Sequence, residues 1–535
     1  MKAHQPDARV QHMIHKVSSR FKYPGCWALG VAFVALTAVE LSYVLGGINW
    51  LDALAFLLVP AFVLLLIQII LTFNAETKNY CVAFTIFAAC LVFCLFRLSS
   101  IEFGTVGDTY HVTKLVASSI KNDFSTQFQV FNGPTPSIQI FGSDFVESLW
   151  GIFWRWKNWD YAIILLQTLP IVLLWQQLVR FFKKQNITTF PAPLATVVVL
   201  TLEMLWAQAG SPYIDSTVGV FVAITLLLSY DFLTPPYERR FSHLAGLTFI
   251  AGICLIAKPT GIFVGLLGIT VATALGCLHL NTAQKIRLPL IALPSLVYFI
   301  CHQIQIQMRV GSFFYPFIDP ANSLDMANAN YAFNNQFYLP YYSGLLFFSW
   351  IRDHAAFLKP LFVPLSWLTD YKTDRVITPG PYIRGNGLVF TYFVLPTLTI
   401  WLFNHWNIVR TKIWKDPRLS VFAVIFIYYF FFPGSIEVRY ALGYNIFILA
   451  WCLSYLWQLI EQWHGHKWLK PLPAILICLM LWMSTLSYLD GIRGWRFEPK
   501  MFSFVMLQKK IFPHQATPEI RDYIIQQLSQ QNSPK

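Results

Sequence analysis

The residues best suited to chemistry begin with an acidic side chain in the polar stretch Gly107-Asp108-Thr109-Tyr110-His111. A carboxylate within hydrogen-bond reach of a hydroxyl group can take its proton, so Asp108 is a candidate general base. His111 follows three residues later and would share a helical face with Asp108, where it could orient the carboxylate or contact a substrate. The alternatives are that Asp108 is a helix N-cap and that His111 is a surface residue.

Two cations border apolar segments and could bind an anion. Lys258 separates two apolar runs in Ala257-Lys258-Pro259-Thr260, and Arg439 precedes another in Val438-Arg439-Tyr440. A charged side chain at membrane depth is costly unless it pairs, reaches water or lines a wet cavity. Ammonium and guanidinium groups bind phosphate by charge-assisted hydrogen bonds, so both residues are candidate phosphate ligands. The alternatives are snorkelling of Lys258 to the interface and pairing of Arg439 with Glu437.

A third position, Asp215, opens an apolar run in Tyr213-Ile214-Asp215-Ser216. Its carboxylate could position a substrate, although N-capping of the helix by the Asp-Ser-Thr sequence explains the residue nearly as well. All of these positions lie beside apolar runs, so the arrangement of those runs determines where the candidate residues are placed.

The composition is that of a polytopic membrane protein. Hydrophobic residues make up 56% of the chain and charged residues 12%, with a mean hydropathy of +0.52, whereas a soluble domain has about 25% charged residues. Apolar runs of about 20 residues, long enough to cross a hydrocarbon core of about 30 Å, recur along the chain. The pattern predicts an all-α bundle of about 13 transmembrane helices (roughly 12–14) at 26–46, 51–73, 80–97, 160–180, 191–209, 216–234, 242–257, 260–280, 288–308, 388–404, 419–433, 440–460 and 471–489.

The distribution of Lys and Arg predicts the orientation of these helices. The basic residues concentrate before residue 25 and in the connections at 180–190, 281–287 and 405–418, whereas 210–215 contains none. Basic residues favour the cytoplasmic side, so the N-terminus is predicted to be inside. The formal charge of +13 is then mostly a consequence of topology, and no nucleic-acid partner is expected. The first apolar run is too long for a signal peptide and lacks a cleavage site, so no cleaved leader is expected.

The nine cysteines all lie in or at the edge of apolar runs, and none has the spacing of a zinc site. They are predicted to be small buried apolar residues. We therefore expect no disulfide, no metal site and no cofactor.

The predicted orientation leaves three segments on the outer side. Residues 137–154 of the first have an amphipathic pattern with tryptophans at its end, typical of a helix lying on the bilayer. The chain is accordingly divided into an N-terminal three-span segment at 1–97, a first outer and catalytic loop with interfacial helices at 98–159, a transmembrane core at 160–308, a second large outer loop at 309–387, C-terminal transmembrane helices at 388–489 and a short outer tail at 490–535.

In these motifs the chain resembles the GT-C superfamily of membrane glycosyltransferases, which includes the protein O-mannosyltransferases and the lipid A aminoarabinose transferases. Asp108 stands early in the first outer loop, Tyr110 follows it, and Gly133-Pro134-Thr135-Pro136 comes after the loop helix. The motifs of Asp215, Lys258 and Arg439 follow in order, and Gly-Ser-Phe-Phe-Tyr-Pro-Phe at 311–317 resembles the start of the second loop in some members. Two features depart from the family pattern: Thr109 stands where many relatives have a second acid, and the first loop follows the third span.

The resemblance implies an inverting transfer of a hexose or pentose from a polyprenyl-phosphate-linked donor to a lipid, glycan or protein acceptor. It places the protein in the inner (plasma) membrane among membrane lipids, with a cytoplasmic N-terminus and an active site on the periplasmic or outer face. The residues implied in this chemistry are Asp108 and His111 for catalysis, Lys258 and Arg439 for the donor phosphate, and Tyr110, Asp215 and Tyr315 for substrate binding.

Two other classes of membrane protein have a similar number of spans. A secondary transporter or a flippase usually has inverted repeats and matched broken helices, which this sequence lacks. A polysaccharide polymerase or ligase of another transferase fold would typically centre on one large outer loop with arginine and histidine. The early acid of the first loop favours the GT-C interpretation over both.

Overall fold

A computed structural model describes residues 161–185, 190–202, 214–310, 389–412, 416–431, 441–463 and 471–493, and the isolated positions 67, 70, 85, 86, 88–90, 146, 205, 206 and 209. These residues are 89% helical and contain no strand, so the predicted all-α class is confirmed for the described part of the chain. Apart from the isolated positions, the first three predicted spans and most of the three outer segments lie outside the described residues.

Ten α-helices follow one another in the described residues. They are α1 Tyr161–Lys184, α2 Ala192–Leu200, α3 Asp215–Phe232, α4 Phe241–Ala257, α5 Ile262–His279, α6 Thr282–Val310, α7 Leu395–Lys412, α8 Leu419–Phe431, α9 Leu442–Trp463 and α10 Leu472–Arg493. A 3₁₀ turn at Pro259–Gly261 precedes α5, and a π-helical turn at Phe390–Val394 precedes α7.

Each apolar run from residue 160 onward contains one of these helices, and in the run at 191–209 helix α2 covers only the first part. Helix α2 ends at Leu200, and the indole Nε1 of Trp206 donates a hydrogen bond back to the Leu200 carbonyl oxygen. Nine residues of helix are about 13 Å long at 1.5 Å per residue, which is less than half of the hydrocarbon core. Helix α2 alone therefore does not cross a membrane.

Four segments of the described residues are long and apolar enough to cross a membrane. They are Asp215–Phe232, Pro259–His279, Thr282–Ile300 and Leu442–Gln462. Large apolar side chains also point outward from the bundle, including Leu278, which is 73% exposed, and Phe403, which is 81% exposed. Apolar surface of this kind is unusual on a soluble protein and matches contact with lipid. The chain is therefore a helical membrane protein.

Helix α3 forms the centre of the bundle. Every residue from Asp215 to Phe232 is buried, as expected for a helix that is apolar on all sides. It packs against α1, α4, α5 and α9, and α4 packs in turn against α5 and α6. Because α3 and α4 are antiparallel neighbours, the start of α3 and the end of α4 lie at one end of the bundle, the Lys258 end. Helix α3 ends at the opposite end of the bundle, which we call the Arg180 end.

Helices α3 and α9 come close together where Gly443 of α9 faces Gly219 of α3. A methyl group on Gly443 would lie 2.3 Å from the carbonyl oxygen of Gly219 and 2.6 Å from Cβ of Val222. The backbone of α3 therefore occupies the space that any other residue at 443 would need. Small residues at helix crossings allow such contacts in membrane proteins, where close packing replaces the hydrophobic driving force.

We expect Gly443→Ala to lower the free energy of unfolding by about 1–3 kcal/mol, because the new methyl group must push two backbones apart. Unfolding in mixed detergent micelles with increasing SDS measures this change. Gly219→Ala is the matched control in the same interface, because the atoms nearest to its methyl group would belong to the side chain of Leu442, at 3.1 Å. A loss in Gly443→Ala no larger than in Gly219→Ala would contradict the close backbone contact.

An ionic cluster of Arg180, Lys184, Asp231, Glu238 and His243 closes the Arg180 end. Arg180 and Lys184 are one helical turn apart on α1, so they share a face. The Asp231 carboxylate at the end of α3 lies 3.1 Å from Arg180 Nε and 2.9 Å from Lys184 Nζ. The ammonium of Lys184 also donates a hydrogen bond of 2.6 Å to the Asp231 carbonyl oxygen. The cluster thus joins α1 to α3.

Glu238 extends this cluster from the connection between α3 and α4. Its carboxylate lies 3.3 Å from Arg180 Nη2 and 2.8 Å from His243 Nδ1, and it accepts hydrogen bonds from the backbone N–H groups of Arg239 and Arg240. Burial acts to raise the pKa of Glu238, but the hydrogen bond and charge of His243, the Arg240 N–H and the charge of Arg180 outweigh it. The pKa of Glu238 is lowered from 4.5 to about 2.

Candidate functional site

The candidate site at the Lys258 end begins with the first turn of α3. Ile214 is the N-cap residue, and α3 has no hydrogen bond from a backbone N–H group to an N-cap side chain. Asp215 is the first residue of the helix. The interpretation of Asp215 as a helix N-cap is therefore wrong. Its carboxylate lies at the positive end of the α3 dipole, where a negative charge is stabilised.

Lys258 is brought to the same end by the proline that follows it. A residue before proline is pushed out of the helical conformation, and Lys258 has extended torsion angles of −165° and 151°. Helix α4 therefore ends at Ala257, and the chain turns through Pro259–Gly261 into α5. The Gly261 N–H donates a 2.9 Å hydrogen bond to the Lys258 carbonyl oxygen, which closes the turn and fixes the backbone from which the lysine side chain extends.

The side chains of Asp215 and Lys258 form an ion pair in which the lysine Nζ donates to the aspartate Oδ1. The aspartate side chain is 3% exposed and the lysine side chain is 19% exposed. The carboxylate is thus enclosed by the helices, whereas the cation reaches the edge of the bundle. Lys258 does not simply snorkel to the interface as a lone charge, since it is held by a specific buried partner.

Two tyrosines from later helices complete this end of the bundle. The hydroxyl of Tyr444 in the first turn of α9 donates a 2.8 Å hydrogen bond to the Thr260 carbonyl oxygen. Its ring stacks on that of Tyr428 in α8, with centroids 3.9 Å apart and planes 12° from parallel. The turn that carries Lys258 is therefore anchored to α9 by a contact that does not involve the ion pair.

Two hydroxyl groups stand next to Asp215 in the sequence of α3. Ser216 is 2% exposed and Thr217 is 4% exposed, and within the described residues neither side-chain oxygen has a hydrogen-bond partner. Leaving a buried hydroxyl unpaired costs about 1–3 kcal/mol. The first turn of α3 therefore offers two hydrogen-bonding groups beside a paired carboxylate and ammonium.

Of the site residues predicted from the sequence, the structure describes Asp215 and Lys258 and brings them together. Asp108, Tyr110, His111, Tyr315 and Arg439 lie outside the described residues, so their roles remain predictions. The described chain resumes two residues after Arg439, where Ala441 is buried at the start of α9.

The contact between Asp215 and Lys258 and the anchoring role of Tyr444 were not predicted. The antiparallel order of the spans carried a signal for the first, because the start of α3 and the end of α4 must lie at one end of the bundle. No comparable signal marks Tyr444, which is one tyrosine among 24. Its role depends on the packing of α9 beside the turn at Pro259–Gly261.

Within the part of the chain that the structure describes, no group of three or more His, Cys, Asp or Glu side chains could hold a metal ion. The chain was compared with known proteins, and no family model, curated protein or solved structure significantly matches it. The local geometry and the sequence motifs are therefore the grounds on which a function can be inferred.

Proposed function

We propose that this protein is an integral membrane glycosyltransferase of the GT-C type. It moves a sugar from a polyprenyl-phosphate-linked donor to an acceptor on the outer face of the inner membrane. The observation that carries this proposal is the pair of Asp215 and Lys258 at one end of the bundle. It holds an ammonium group at the edge of an apolar core, where the phosphate of a lipid-linked sugar would lie.

The charges and hydrogen-bonding groups of this end suit a phosphate. The ammonium of Lys258 is 19% exposed at the edge of the bundle, and it can donate charge-assisted hydrogen bonds to the oxygens of a phosphate. Ser216 and Thr217 provide hydroxyl groups in the adjacent first turn of α3, whose positive dipole also favours an anion. A polyprenyl chain would extend from the phosphate along the apolar outer surface of the bundle.

The proposed reaction is a single displacement at the anomeric carbon. The acceptor hydroxyl forms the new bond to that carbon and gives its proton to Asp108, with His111 beside it. The bond from the anomeric carbon to the phosphate oxygen breaks, and its electron pair remains on the phosphate. Lys258 and Arg439 stabilise the negative charge that develops there, while Tyr110, Asp215 and Tyr315 contact the substrates.

The orientation belongs to this proposal as well. The connections at 180–190, 235–241 and 281–287 are rich in Lys and Arg, which assigns the Arg180 end to the cytoplasmic side. The Lys258 end then faces outward, on the same side as the long segments 98–159 and 309–387. Long segments predicted on the same side of the membrane as the site favour an enzyme over a flippase or a transporter, whose site would lie near the middle of the membrane.

Lys258→Met is expected to reduce use of the donor by about 10- to 100-fold, because a hydrogen bond to a charged group contributes about 1.5–3 kcal/mol. The assay follows release of free polyprenyl phosphate from a labelled polyprenyl-phosphate sugar by the purified protein in proteoliposomes, with envelope extract as the source of acceptors. Lys285→Met is the matched control, because Lys285 is exposed at the start of α6, at the other end of the bundle.

The single substitution also removes the ammonium that pairs with the buried Asp215 carboxylate. The double variant Lys258→Met/Asp215→Asn removes both charges, so it separates loss of folding from loss of the phosphate ligand. A double variant that is folded and still inactive supports the proposal. Wild-type release of polyprenyl phosphate by the folded double variant would remove Lys258 from the reaction, and movement of intact labelled donor between leaflets without cleavage would identify a flippase.

A further inference from the structure

We propose that Asp215 is an exchangeable counter-ion of Lys258. The phosphate of the lipid-linked donor takes the place of Asp215 on the ammonium group, and Asp215 reclaims the ammonium when the lipid phosphate product leaves. This inference rests on the proposed function and adds to it a role in product release.

The exposures of the two side chains give the direction of the exchange. Asp215 is 3% exposed and belongs to the buried helix α3, whereas Lys258 is 19% exposed at an extended residue between two helices. A ligand that arrives from the edge of the bundle therefore meets the ammonium first. The four-carbon stem of lysine is flexible, so the cation can turn from the carboxylate to the ligand while the backbone stays in place.

The backbone at Lys258 is held independently of the ion pair. The Gly261 N–H bonds to the Lys258 carbonyl oxygen at 2.9 Å, and the Tyr444 hydroxyl bonds to the Thr260 carbonyl oxygen at 2.8 Å. These two contacts anchor the turn to itself and to α9. Separation of the charges during exchange thus leaves the turn folded.

The carboxylate also has support when the cation turns away. Asp215 lies in the first turn of an 18-residue helix, where the N-terminal end of the dipole stabilises a negative charge by about 0.3–1 kcal/mol or somewhat more when buried.

The hydroxyls of Ser216 and Thr217 follow Asp215 in that turn and have no hydrogen-bond partner within the described residues. They can donate to the oxygens of an arriving phosphate, which bear the charge that Lys258 then balances.

The exchange acts most strongly on the product because donor and product differ in charge. The donor is a phosphodiester with one negative charge, whereas the lipid phosphate that remains is a monoester whose second pKa of about 6 gives it nearly two charges at pH 7. An isolated ammonium would hold the monoester more tightly than the donor and slow its release. Asp215 opposes this, because it repels the second negative charge and competes for the same cation.

The experiment measures binding of two short-chain probes, farnesyl phosphate and its methyl diester, to the purified full-length protein in detergent. We expect Asp215→Asn to bind farnesyl phosphate about tenfold more tightly than wild type, because one negative charge that competes for Lys258 has been removed. A tenfold change in affinity corresponds to about 1.4 kcal/mol. The gain should be smaller for the diester, which carries a single charge. The asparagine oxygen can still accept a hydrogen bond from Lys258, so this variant retains the local contact.

Two further variants complete the test. Asp416→Asn is the matched control, because Asp416 pairs with Arg418 before α8 in a contact remote from Lys258, and it should leave binding unchanged. Lys258→Met/Asp215→Asn should lose the tenfold gain. If binding depends on Lys258 but is equal or weaker in Asp215→Asn, the proposed exchange is wrong and the proposed donor site stands. Binding that is the same with and without Lys258 overturns both the exchange and the proposed donor site.

Discussion

Asp231→Ala is expected to lower the free energy of unfolding by about 3–5 kcal/mol, the usual cost of leaving a buried charge without its partner. The Asp231 side chain is 5% exposed and pairs with both Arg180 and Lys184. Its removal takes a buried carboxylate away from both cations where α1 and α3 meet, although Arg180 keeps its contact with Glu238. Lys184 keeps its hydrogen bonds to the carbonyl oxygens of residues 231 and 234, which favours the lower part of that range.

SDS unfolding in mixed micelles at pH 7 measures this change against a matched control. Asp416→Ala removes an ion pair with Arg418 in which both side chains are more than one-third exposed. We therefore expect its free energy of unfolding to fall by less than about 1 kcal/mol. Equal losses in the two variants would mean that burial does not strengthen the ionic cluster.

The pH of that experiment matters because Glu238 belongs to the same cluster. Its pKa in the folded protein is about 2, below the ordinary 4.5, so the folded state favours the ionised carboxylate. The stability that this carboxylate contributes is therefore fully present above about pH 4.5. It is lost as the pH falls towards 2, and at pH 7 the effect of Asp231 is measured with Glu238 ionised.

Asp108→Asn is expected to reduce sugar transfer by about 10²–10⁴-fold if Asp108 is the general base of the proposed reaction. Asparagine keeps the shape and much of the hydrogen bonding of aspartate, but it cannot take up the proton of the acceptor hydroxyl. Donor binding and the unfolding transition should change little. Release of polyprenyl phosphate and binding of farnesyl phosphate, measured on one preparation, separate the chemical step from binding.

The same substitution tests the alternative that Asp108 is a helix N-cap. Asparagine caps a helix about as well as aspartate, so an N-cap would tolerate the change with nearly full transfer. Asp144→Asn removes a second acid of the same predicted loop and is the matched control, with activity expected to be retained. Full activity of Asp108→Asn would exclude Asp108 as the base and make His111 the next residue to test.

Local sequence was sufficient to predict the features that depend on residues close together in the chain. The apolar runs predicted an all-α membrane protein, and each run from residue 160 onward contains a helix. The boundary between the runs at 242–257 and 260–280 predicted a break at Lys258, and its cause is local, because the steric restriction that Pro259 places on the preceding residue acts within one peptide unit. The long apolar run at 191–209 gave no sign that α2 ends at Leu200, since no glycine or proline follows that residue before Gly210.

The contacts between side chains distant in sequence depended on the rotation and register of packed helices, which an apolar pattern leaves open. Asp215 and Lys258 were each recognised as candidates, yet their pairing required α3 and α4 to present those side chains towards each other. The basic residues near 180 were interpreted as a sign of orientation, whereas Arg180 and Lys184 also bind Asp231. Likewise Gly443 is needed because the carbonyl group of Gly219 lies against it. A helix that is apolar on every side can pack in many rotations, and the small residues and buried charges select one of them.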